Sequence, residues 1–562
     1  MASRPTDRST VSMTALSIAG YVLVTLLGFT LRAVALAHYG GHVDEPASLL
    51  AVNRVGDVGY PQFPSGVLYL QGAAFSYIAA PMTWILDDTA LLQATRVLSM
   101  FISVSVIPLS MKLMLETTGS SIAALITGIL VSADPNLILW SVTIRPYGLL
   151  AAEIVALLIL FSRLLREGPS ARLGPFRVVY LIPILSTAGT FTHVGFWLAF
   201  PVLALVAVTV WQKSLLTTHR VILLSGLLSL LPLLVLLALG SFSSTGSGTG
   251  DGYFGRSFLG SHLFSLKGFR ESPGLRFWIW TDNFTDGVLH QFMPYLILLS
   301  SGVLFHAILE VGSGTISVWR RLAVGSIVLV HWSVIVAVAL LVTSDPAPRY
   351  LTLILPLGYM IITLAGLSLW TLAPRSVSWL TAIIRIAVVV VFIVPGMLQA
   401  GTAASLRIHS PGGSPDYWNA TKWASVHFDN DQTILTALPP SAHFWFSQPQ
   451  LERLKFLAGP ESSSRTSRYV VTDSRGAHVD YWLGLSSIRS TQELCIELQR
   501  IDGNGGIIAD GHRLRAGWAF EGPFAEVIRG SSEIVFRGDN GVVVMSILPF
   551  ENWSDAARTA CG

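Results

Sequence analysis

The stretch Val11–Ala37, VSMTALSIAGYVLVTLLGFTLRAVALA, opens the chain with an almost uninterrupted apolar run. It is long enough to cross the roughly 30 Å hydrocarbon core of a bilayer as one helix. Arg4 and Arg8 precede it and Ala35-Leu-Ala37 resembles a cleavage site, so a signal peptide is the alternative. Because the apolar core of a signal peptide spans only about 7–15 residues, the run predicts an uncleaved first transmembrane helix.

Apolar runs of similar length recur through the first 400 residues. The chain is 52% hydrophobic and 12% charged, with a mean hydropathy of +0.60, whereas soluble proteins carry about 25% charged residues. The net charge of +3 is too small to indicate nucleic-acid binding. The pattern predicts an α-helical polytopic membrane protein with about eleven transmembrane helices, at 12–37, 93–115, 120–140, 147–166, 178–193, 195–212, 221–240, 288–309, 322–343, 350–372 and 380–402.

Basic residues set the predicted orientation in the plasma (inner) membrane. With the N-terminus inside, the cytoplasmic loops hold Lys112, Arg163, Arg166, Arg172, Arg177, Lys213, Arg220, Arg320, Arg321 and Arg375, as the positive-inside rule requires. Four segments then face outward: 38–92, 133–147, 241–287 and everything after 402.

The first outer loop, 38–92, is itself half apolar. Glu45–Val55 and Ser65–Ala80 are typical of short helices, and we expect both to lie along the membrane surface. The alternative is that 65–86 crosses the bilayer. That arrangement places the arginine-rich loops outside, so the charge pattern disfavours it.

The outer loop 241–287 begins with a glycine- and serine-rich run and then becomes aromatic. A mobile lid over an active site has this character. A flexible connector followed by an interfacial aromatic belt has it too, and the sequence leaves both interpretations open.

The composition changes after the membrane module, 1–402. A predicted helix at Asp416–Phe428 precedes short runs that resemble strands, at Thr433–Leu438, Tyr469–Thr472, Leu494–Leu498, Glu533–Phe536 and Gly541–Leu548. We therefore expect a mixed α/β extracytoplasmic domain over 403–562. Cys495 and Cys561 form a disulfide there or remain two free thiols. Core packing explains most of its aromatic residues, although such rings also stack on sugars.

Two adjacent carboxylates, Asp44 and Glu45, follow the first helix within Gly40-Gly-His-Val-Asp-Glu-Pro46. Ionisable groups at membrane depth are costly and tend to be functional. The alternative is a helix N-terminus, in which Asp44 caps, Glu45 favours the positive end of the helix dipole and Pro46 occupies the first turn. The two interpretations are compatible.

Other polar residues are predicted at the same membrane face. Each has a structural explanation: an arginine can extend to lipid headgroups, a histidine can pack internally, and Asp-Pro can begin a turn. Their gathering on one face indicates a site, and its members are His42, Arg96, Asp134, Arg145, Tyr147, His193, His290, Arg349 and Tyr350.

The motifs together resemble a known family. The four motifs are His42-Val-Asp44-Glu45, Tyr60-Pro-x-Phe-Pro64-x-Gly-x-Leu-Tyr69, Arg145-Pro-Tyr147, and Arg349-Tyr350 with Pro356. Over about residues 12–400 they resemble the GT-C glycosyltransferases, in particular the family-39-like group of protein O-mannosyltransferases and lipid A aminoarabinose transferases. The C-terminal region does not resemble the trefoil domain of eukaryotic O-mannosyltransferases, which argues against a protein acceptor.

The resemblance implies an inverting transfer of a sugar from a polyprenyl-phosphate donor to a hydroxyl of an acceptor glycan, lipid or protein at the outer face. It implies Asp44 as the catalytic base, with Glu45 and Asp134 as further catalytic candidates. Arg96, Arg145 and Arg349 become candidates for binding the donor phosphate. The expected substrate pocket comprises His42, Tyr147, His193, His290 and Tyr350.

The chemistry requires no cofactor. Phosphate is already a good leaving group, so the attack needs only a base and a cationic partner for the phosphate. No zinc-ligand spacing is present, although Asp44, Glu45 and Asp134 could hold a divalent cation.

Three other classes remain as alternatives: a transporter, a sugar-polymer ligase or polymerase, and a non-catalytic envelope scaffold. A transporter carries its charges near the membrane midplane, whereas these lie at one face.

Overall fold

The computed structural model describes residues 15–39, 42, 44–66, 68–69, 72–193, 196, 199, 296–304, 318–341, 352–372, 383, 417–437, 439–457, 470–472, 478–480, 483, 485–510, 522–537 and 542–562. Three candidate site residues, His290, Arg349 and Tyr350, lie outside this set. So do the loop 241–287 and nearly all of the predicted helices at 195–212, 221–240 and 380–402.

Four described helices are long and apolar enough to cross a membrane: Ser17–Ala37, Asp88–Thr118, Tyr147–Glu167 and Thr352–Trp370. A bent pair of helices makes a fifth candidate. The chain is therefore a helical membrane protein, while the total of eleven spans stays a prediction. The helices of this part are α1 (Ala15–Ala37), α2 (Glu45–Val58), α3 (Ala73–Ala79), α4 (Asp88–Thr118), α5 (Ser121–Ala133), α6 (Pro135–Ser141), α7 (Tyr147–Glu167), α8 (Val178–Thr192), α9 (Val318–Leu341) and α10 (Leu355–Leu372).

The central helix is α4, which packs against α1, α5 and α7. It begins at Asp88, five residues before the predicted start, because Asp87 accepts a hydrogen bond from the Ala90 N–H at 2.8 Å. Its 31 residues span about 46 Å at 1.5 Å per residue, more than the hydrocarbon core of a bilayer. Arg96 consequently lies two turns inside the helix rather than at its beginning.

The predicted single helix at 120–140 is wrong, because the chain bends by 60° between α5 and α6. Asp134 lies at the break with an extended ψ of 126°, the conformation that a following proline imposes. Its carboxylate accepts from the Leu137 N–H at 2.7 Å and so caps α6.

The segment 38–92 contains two short helices, as the sequence predicted. Helix α2 ends at Gly59, whose φ of 84° lies in the left-handed region that favours glycine. The second, α3, begins at Ala73, eight residues later than expected, and continues as a 3-10 turn, Ala80–Trp84.

The C-terminal region contains one mixed sheet of six strands, which are β3 (Thr433–Thr436), β4 (Leu454–Leu457), β7 (Ser487–Ile488), β8 (Gly505–Asp510), β9 (Ser532–Arg537) and β10 (Val542–Ile547). Their order in the sheet is β7-β4-β3-β8-β10-β9. The first four strands in this order run parallel, and β10 runs antiparallel to both of its neighbours. Two separate hairpins pair β1 (Arg172–Leu173) with β2 (Phe176–Arg177) and β5 (Val470–Thr472) with β6 (His478–Asp480).

Helices accompany the sheet, and one of them corrects the sequence analysis. The predicted strand Leu494–Leu498 is wrong, because these residues lie in the helix Thr491–Ile501. Ser490 and Glu493 form a capping box at its start, which overrides the local apolar run. Cys495 in this helix forms a disulfide with Cys561. The helices of this region are α11 (Tyr417–His427), α12 (Pro439–Ala442), α13 (Gln448–Glu452), α14 (Thr491–Ile501), α15 (Gly522–Gly530) and α16 (Asp555–Ala560).

One hydrophobic core joins the segment 38–92 to the C-terminal sheet. Leu49 and Leu50 of α2 belong to the same buried cluster as Tyr417, Phe444 and Phe446. Helix α2 packs directly on α12. The C-terminal region therefore lies at the end of the helix bundle that carries Asp44.

Candidate active site

Asp44 occupies the N-cap position of α2, but its side chain makes no capping hydrogen bond. Its Oδ2 atom instead lies 2.6 Å from Nη2 of Arg145 and 3.7 Å from Nδ1 of His42. The Asp44 backbone N–H donates to that imidazole nitrogen at 3.1 Å. The side chain is 23% exposed. Helix capping therefore does not explain this carboxylate, whereas Glu45 and Pro46 do occupy the first turn as predicted.

Arg145 is the cation opposite Asp44, and it is held in place from the other side. Its Nη1 donates to Ser48 Oγ at 3.2 Å and to the Tyr69 hydroxyl at 3.1 Å. Burial lowers the pKa of its guanidinium, but Asp44, Tyr69 and Tyr147 together outweigh burial and raise that pKa well above its ordinary value, with Asp44 contributing most of the three. Its buried Nε–H has no acceptor among the described residues. Arg145 is thus a fixed cation that retains one donor for a further oxygen.

Glu45 serves a different purpose from its neighbour. Its two oxygens accept from Arg96 Nε at 3.2 Å and Nη2 at 2.7 Å, from the Ile144 N–H at 2.9 Å and from the His42 N–H at 3.0 Å. The residue is 2% exposed, and the Arg96 guanidinium lies 5.0 Å above the Tyr39 ring. Four donors saturate this buried carboxylate, so it ties α2 to α4 and to the segment before α7.

A row of rings lies beside the Asp44–Arg145 pair. The centroids of His42 and Trp140 are 5.1 Å apart, those of Trp140 and Tyr147 are 5.3 Å apart, and those of Tyr147 and His193 are 5.7 Å apart. The structure therefore brings together three of the five predicted pocket residues. Edge-to-face contacts of this kind stabilise a rigid wall.

Asp134 belongs to a separate set of contacts. Besides capping α6, it accepts from the Tyr359 hydroxyl at 2.6 Å. Within the part of the chain that the structure describes, no hydrogen bond or ion pair joins it to Asp44 or Arg145. Nor do any three His, Cys, Asp or Glu side chains of the described ranges form a group able to hold a metal. A divalent cation therefore stays an expectation.

The residues that the sequence analysis missed are those that position the predicted ones. Ser48 lies one helical turn after Asp44, and that i, i+4 spacing was a usable signal. Tyr69 belongs to the motif that begins at Tyr60, but the sequence indicated no role for it. Trp140 and the Ile144 N–H had no local signal, because their contacts depend on the bend at α6.

No family model and no curated protein matches the chain. Solved structures do match it. ArnT from Cupriavidus metallidurans in its apo state aligns with a TM-score of 0.55 and 12% identity, over 98% of this chain and 100% of that one. The same protein bound to undecaprenyl phosphate gives 0.54 and 14%, over 96% and 98%.

A third structure, the Archaeoglobus fulgidus oligosaccharyltransferase in its apo form, aligns with a TM-score of 0.53 and 12% identity, over 95% of this chain and 75% of that one. The chain has the fold of the GT-C glycosyltransferases. The likeness to the GT-C structures extends over the membrane helices and the C-terminal region together, because it covers nearly all of the chain.

Proposed function

We propose that this chain is an inverting glycosyltransferase that moves a sugar from a polyprenyl-phosphate donor to an acceptor hydroxyl, with Asp44 as the general base. The observation that carries the proposal is the Asp44 carboxylate, which occupies the N-cap position of α2 without capping the helix and lies 2.6 Å from Arg145. The GT-C fold supports the reaction class. Asp134 is not needed as a base, because its oxygens already cap α6 and bind Tyr359.

In the proposed step, the acceptor oxygen attacks the anomeric carbon of the donor sugar while Asp44 takes its proton. The bond between that carbon and the phosphate oxygen breaks, and its electron pair leaves with the phosphate. A new glycosidic bond forms on the opposite face, so the anomeric configuration inverts. No general acid is required, since the polyprenyl phosphate leaves as an anion.

Arg145 is the proposed partner of that anion. A guanidinium offers several donors to phosphate oxygens, and the Arg145 Nε–H has no acceptor among the described residues. The structure of ArnT with undecaprenyl phosphate supports a lipid-phosphate donor. An ion-paired carboxylate accepts a proton less readily than a free one. A phosphate that competes for Arg145 therefore frees Asp44 to act when the donor is bound.

The outer face is the proposed location. The C-terminal region packs on α2 and so lies on the same side of the membrane as Asp44. Its Cys495–Cys561 disulfide is typical of an oxidising compartment. The opposite end of α4 carries Lys112 near Arg163, in agreement with a cytoplasmic location for that end.

Transfer of radiolabelled sugar from polyprenyl-phosphate donors, by membranes that contain wild type or Asp44→Asn, tests the proposal. We expect the variant to lose roughly 10²–10⁴-fold in rate, the usual contribution of a general base. The matched control is Asp57→Asn, an exposed carboxylate on the same helix, which should transfer at the wild-type rate. Equal transfer by Asp44→Asn would remove Asp44 from the mechanism, and transfer from no donor by wild type would contradict the proposed function.

A further inference from the structure

A cavity of about 230 Å³ lies between the first two turns of α4 and the C-terminal region. Gln93 and Arg96 line it from α4, whereas Trp418, Asn419 and Lys422 of α11 line it together with Trp445. Its volume falls below the roughly 300–1,000 Å³ of pockets for drug-sized ligands. The space inside the cavity therefore suits one sugar residue.

The aromatic residues form a corner. The rings of Trp418 and Trp445 are 5.3 Å apart and nearly perpendicular at 75°. The Lys422 ammonium lies 4.7 Å from the Trp445 ring centroid. Indole rings present flat apolar surfaces with a polar edge, and the neighbouring amides of Gln93 and Asn419 supply donors and acceptors suited to hydroxyl groups.

Trp445 lines the cavity, but its Nε1–H is buried and has no acceptor among the described residues. Because water cannot reach that nitrogen, other atoms of Trp445 form the cavity wall. The residue therefore offers a ligand an aromatic surface rather than a hydrogen-bond donor.

The charged residues in the cavity wall indicate which class of ligand it binds. Two cations line it, Arg96 and Lys422, and no carboxylate of the described chain does. Glu45 neutralises Arg96, whereas Lys422 makes no ion pair with a described residue. The net positive charge at the cavity wall therefore comes from Lys422 and favours an anionic ligand.

We infer that this cavity binds an acidic sugar residue of the acceptor, one that carries a carboxylate or a phosphate group. The inference rests on the proposed function, since it supplies that reaction with its acceptor class. One residue of the cavity wall, Arg96, binds Glu45, which directly follows Asp44 in the sequence. The cavity is thus connected to the proposed base through the Arg96–Glu45 pair.

Binding to the full-length chain in nanodiscs of zwitterionic lipid, without any donor, tests the inference. The probes are glucuronate, glucose 6-phosphate, methyl glucoside and inorganic phosphate, followed by tryptophan fluorescence and saturation-transfer NMR. We expect at least one of the two acidic sugars to bind about tenfold more tightly than the neutral sugar or phosphate alone. The preferred acidic sugar identifies the anionic group as carboxylate or phosphate.

Variants locate the binding in the cavity. Lys422→Gln should weaken binding of the preferred sugar roughly 5- to 10-fold by removing a charge, and Trp445→Phe should weaken it several-fold by reducing the aromatic surface of the cavity wall. Lys112→Gln, at the opposite end of α4, and Trp423→Phe, whose ring stacks on His427 and Phe536, are matched controls that should bind as wild type.

Three results would overturn the inference: equal binding of methyl glucoside, equal binding of inorganic phosphate, or no effect of Lys422→Gln. Asp44→Asn should bind the acidic sugar as wild type does, because binding needs no base. If Asp44→Asn loses sugar transfer but still binds the acidic sugar, the defect lies in the role of Asp44 and not in the cavity. Failure of the sugar to bind while wild type still transfers contradicts this inference and leaves the glycosyltransferase proposal standing.

Discussion

A buried carboxylate lies near each end of helix α4, and the two carboxylates have different partners. At the far end, near Thr118, Glu116 is shared by Arg163, at 2.8 Å, and Lys112, at 3.3 Å. At the site end, near Asp88, Glu45 and Arg96 pair with each other. Each end also holds a second pair: Arg166 with Glu167 at the far end, whose side chains are 34% and 40% exposed, and Asp44 with Arg145 at the site end, whose side chains are 23% and 14% exposed.

The difference shows how a saturated ion pair supports a reactive one. Glu45 accepts hydrogen bonds from Arg96 and from two backbone N–H groups, so Arg96 is paired with Glu45 and Arg145 is the cation that faces Asp44. At the far end, the single carboxylate of Glu116 binds both Lys112 and Arg163. The same residue types therefore serve stability at one end of α4 and, as proposed, chemistry at the other.

The largest expected effect separates the two ends by stability. Glu45→Gln leaves the buried Arg96 charge without its partner, which costs about 3–5 kcal/mol of unfolding free energy. Glu116→Gln should cost less, because Lys112 is 45% exposed and Arg163 still donates to the Arg172 carbonyl. Chemical unfolding in detergent measures both. An equal loss of unfolding free energy in the two variants would show that the two ends of α4 do not differ in this respect.

A smaller effect concerns the position of Arg145. Tyr69→Phe removes one hydrogen bond to its guanidinium, worth about 1 kcal/mol, so the donor KM should rise about fivefold with little change in kcat. Tyr77→Phe is the matched control, since its hydroxyl donates to the Gly59 carbonyl at the surface. A Tyr69→Phe enzyme with an unchanged donor KM would show that Tyr69 does not position Arg145.

The smallest expected effect is a pH dependence confined to the site end. His443 lies where the C-terminal region meets α2 and α4, and burial there lowers the pKa of its imidazole. Three charged neighbours have smaller effects: Asp88 and Asp57 raise that pKa, and Arg54 lowers it. The folded protein thus favours the neutral imidazole. The unfolded chain takes up a proton first as the pH falls through about 6.5, so the docked state loses stability below that pH.

Hydrogen exchange at pH 7.5 and pH 5.5 checks this dependence. Protection of α11 and α12 should fall at the lower pH, while protection of α5 at the far end should not. His443→Gln should reduce the change. A uniform loss of protection across both ends would assign the effect to other groups.

Particular elements show how far sequence reasoning reached. The start of α2 at Glu45 and the strand at Val542–Ile547 followed from local signals, a proline in the first turn and a run of β-branched residues. The helix over Leu494–Leu498 was missed, because a short apolar run, here interrupted only by Glu497, fits a strand as well as a helix. The capping box at Ser490 was the signal that distinguished them.

The sequence by itself determined that the chain is built from membrane-crossing helices and that two carboxylates follow the first of them. Both are local properties, since a run of about 20 apolar residues needs a bilayer and Asp44 is adjacent to that run. Only the tertiary structure decided that Asp44 faces Arg145 instead of capping α2, and that Glu45 meets Arg96 51 residues away. Such pairings depend on which helices pack together, and the bend between α5 and α6 that brings Arg145 to Asp44 leaves no signature in hydropathy.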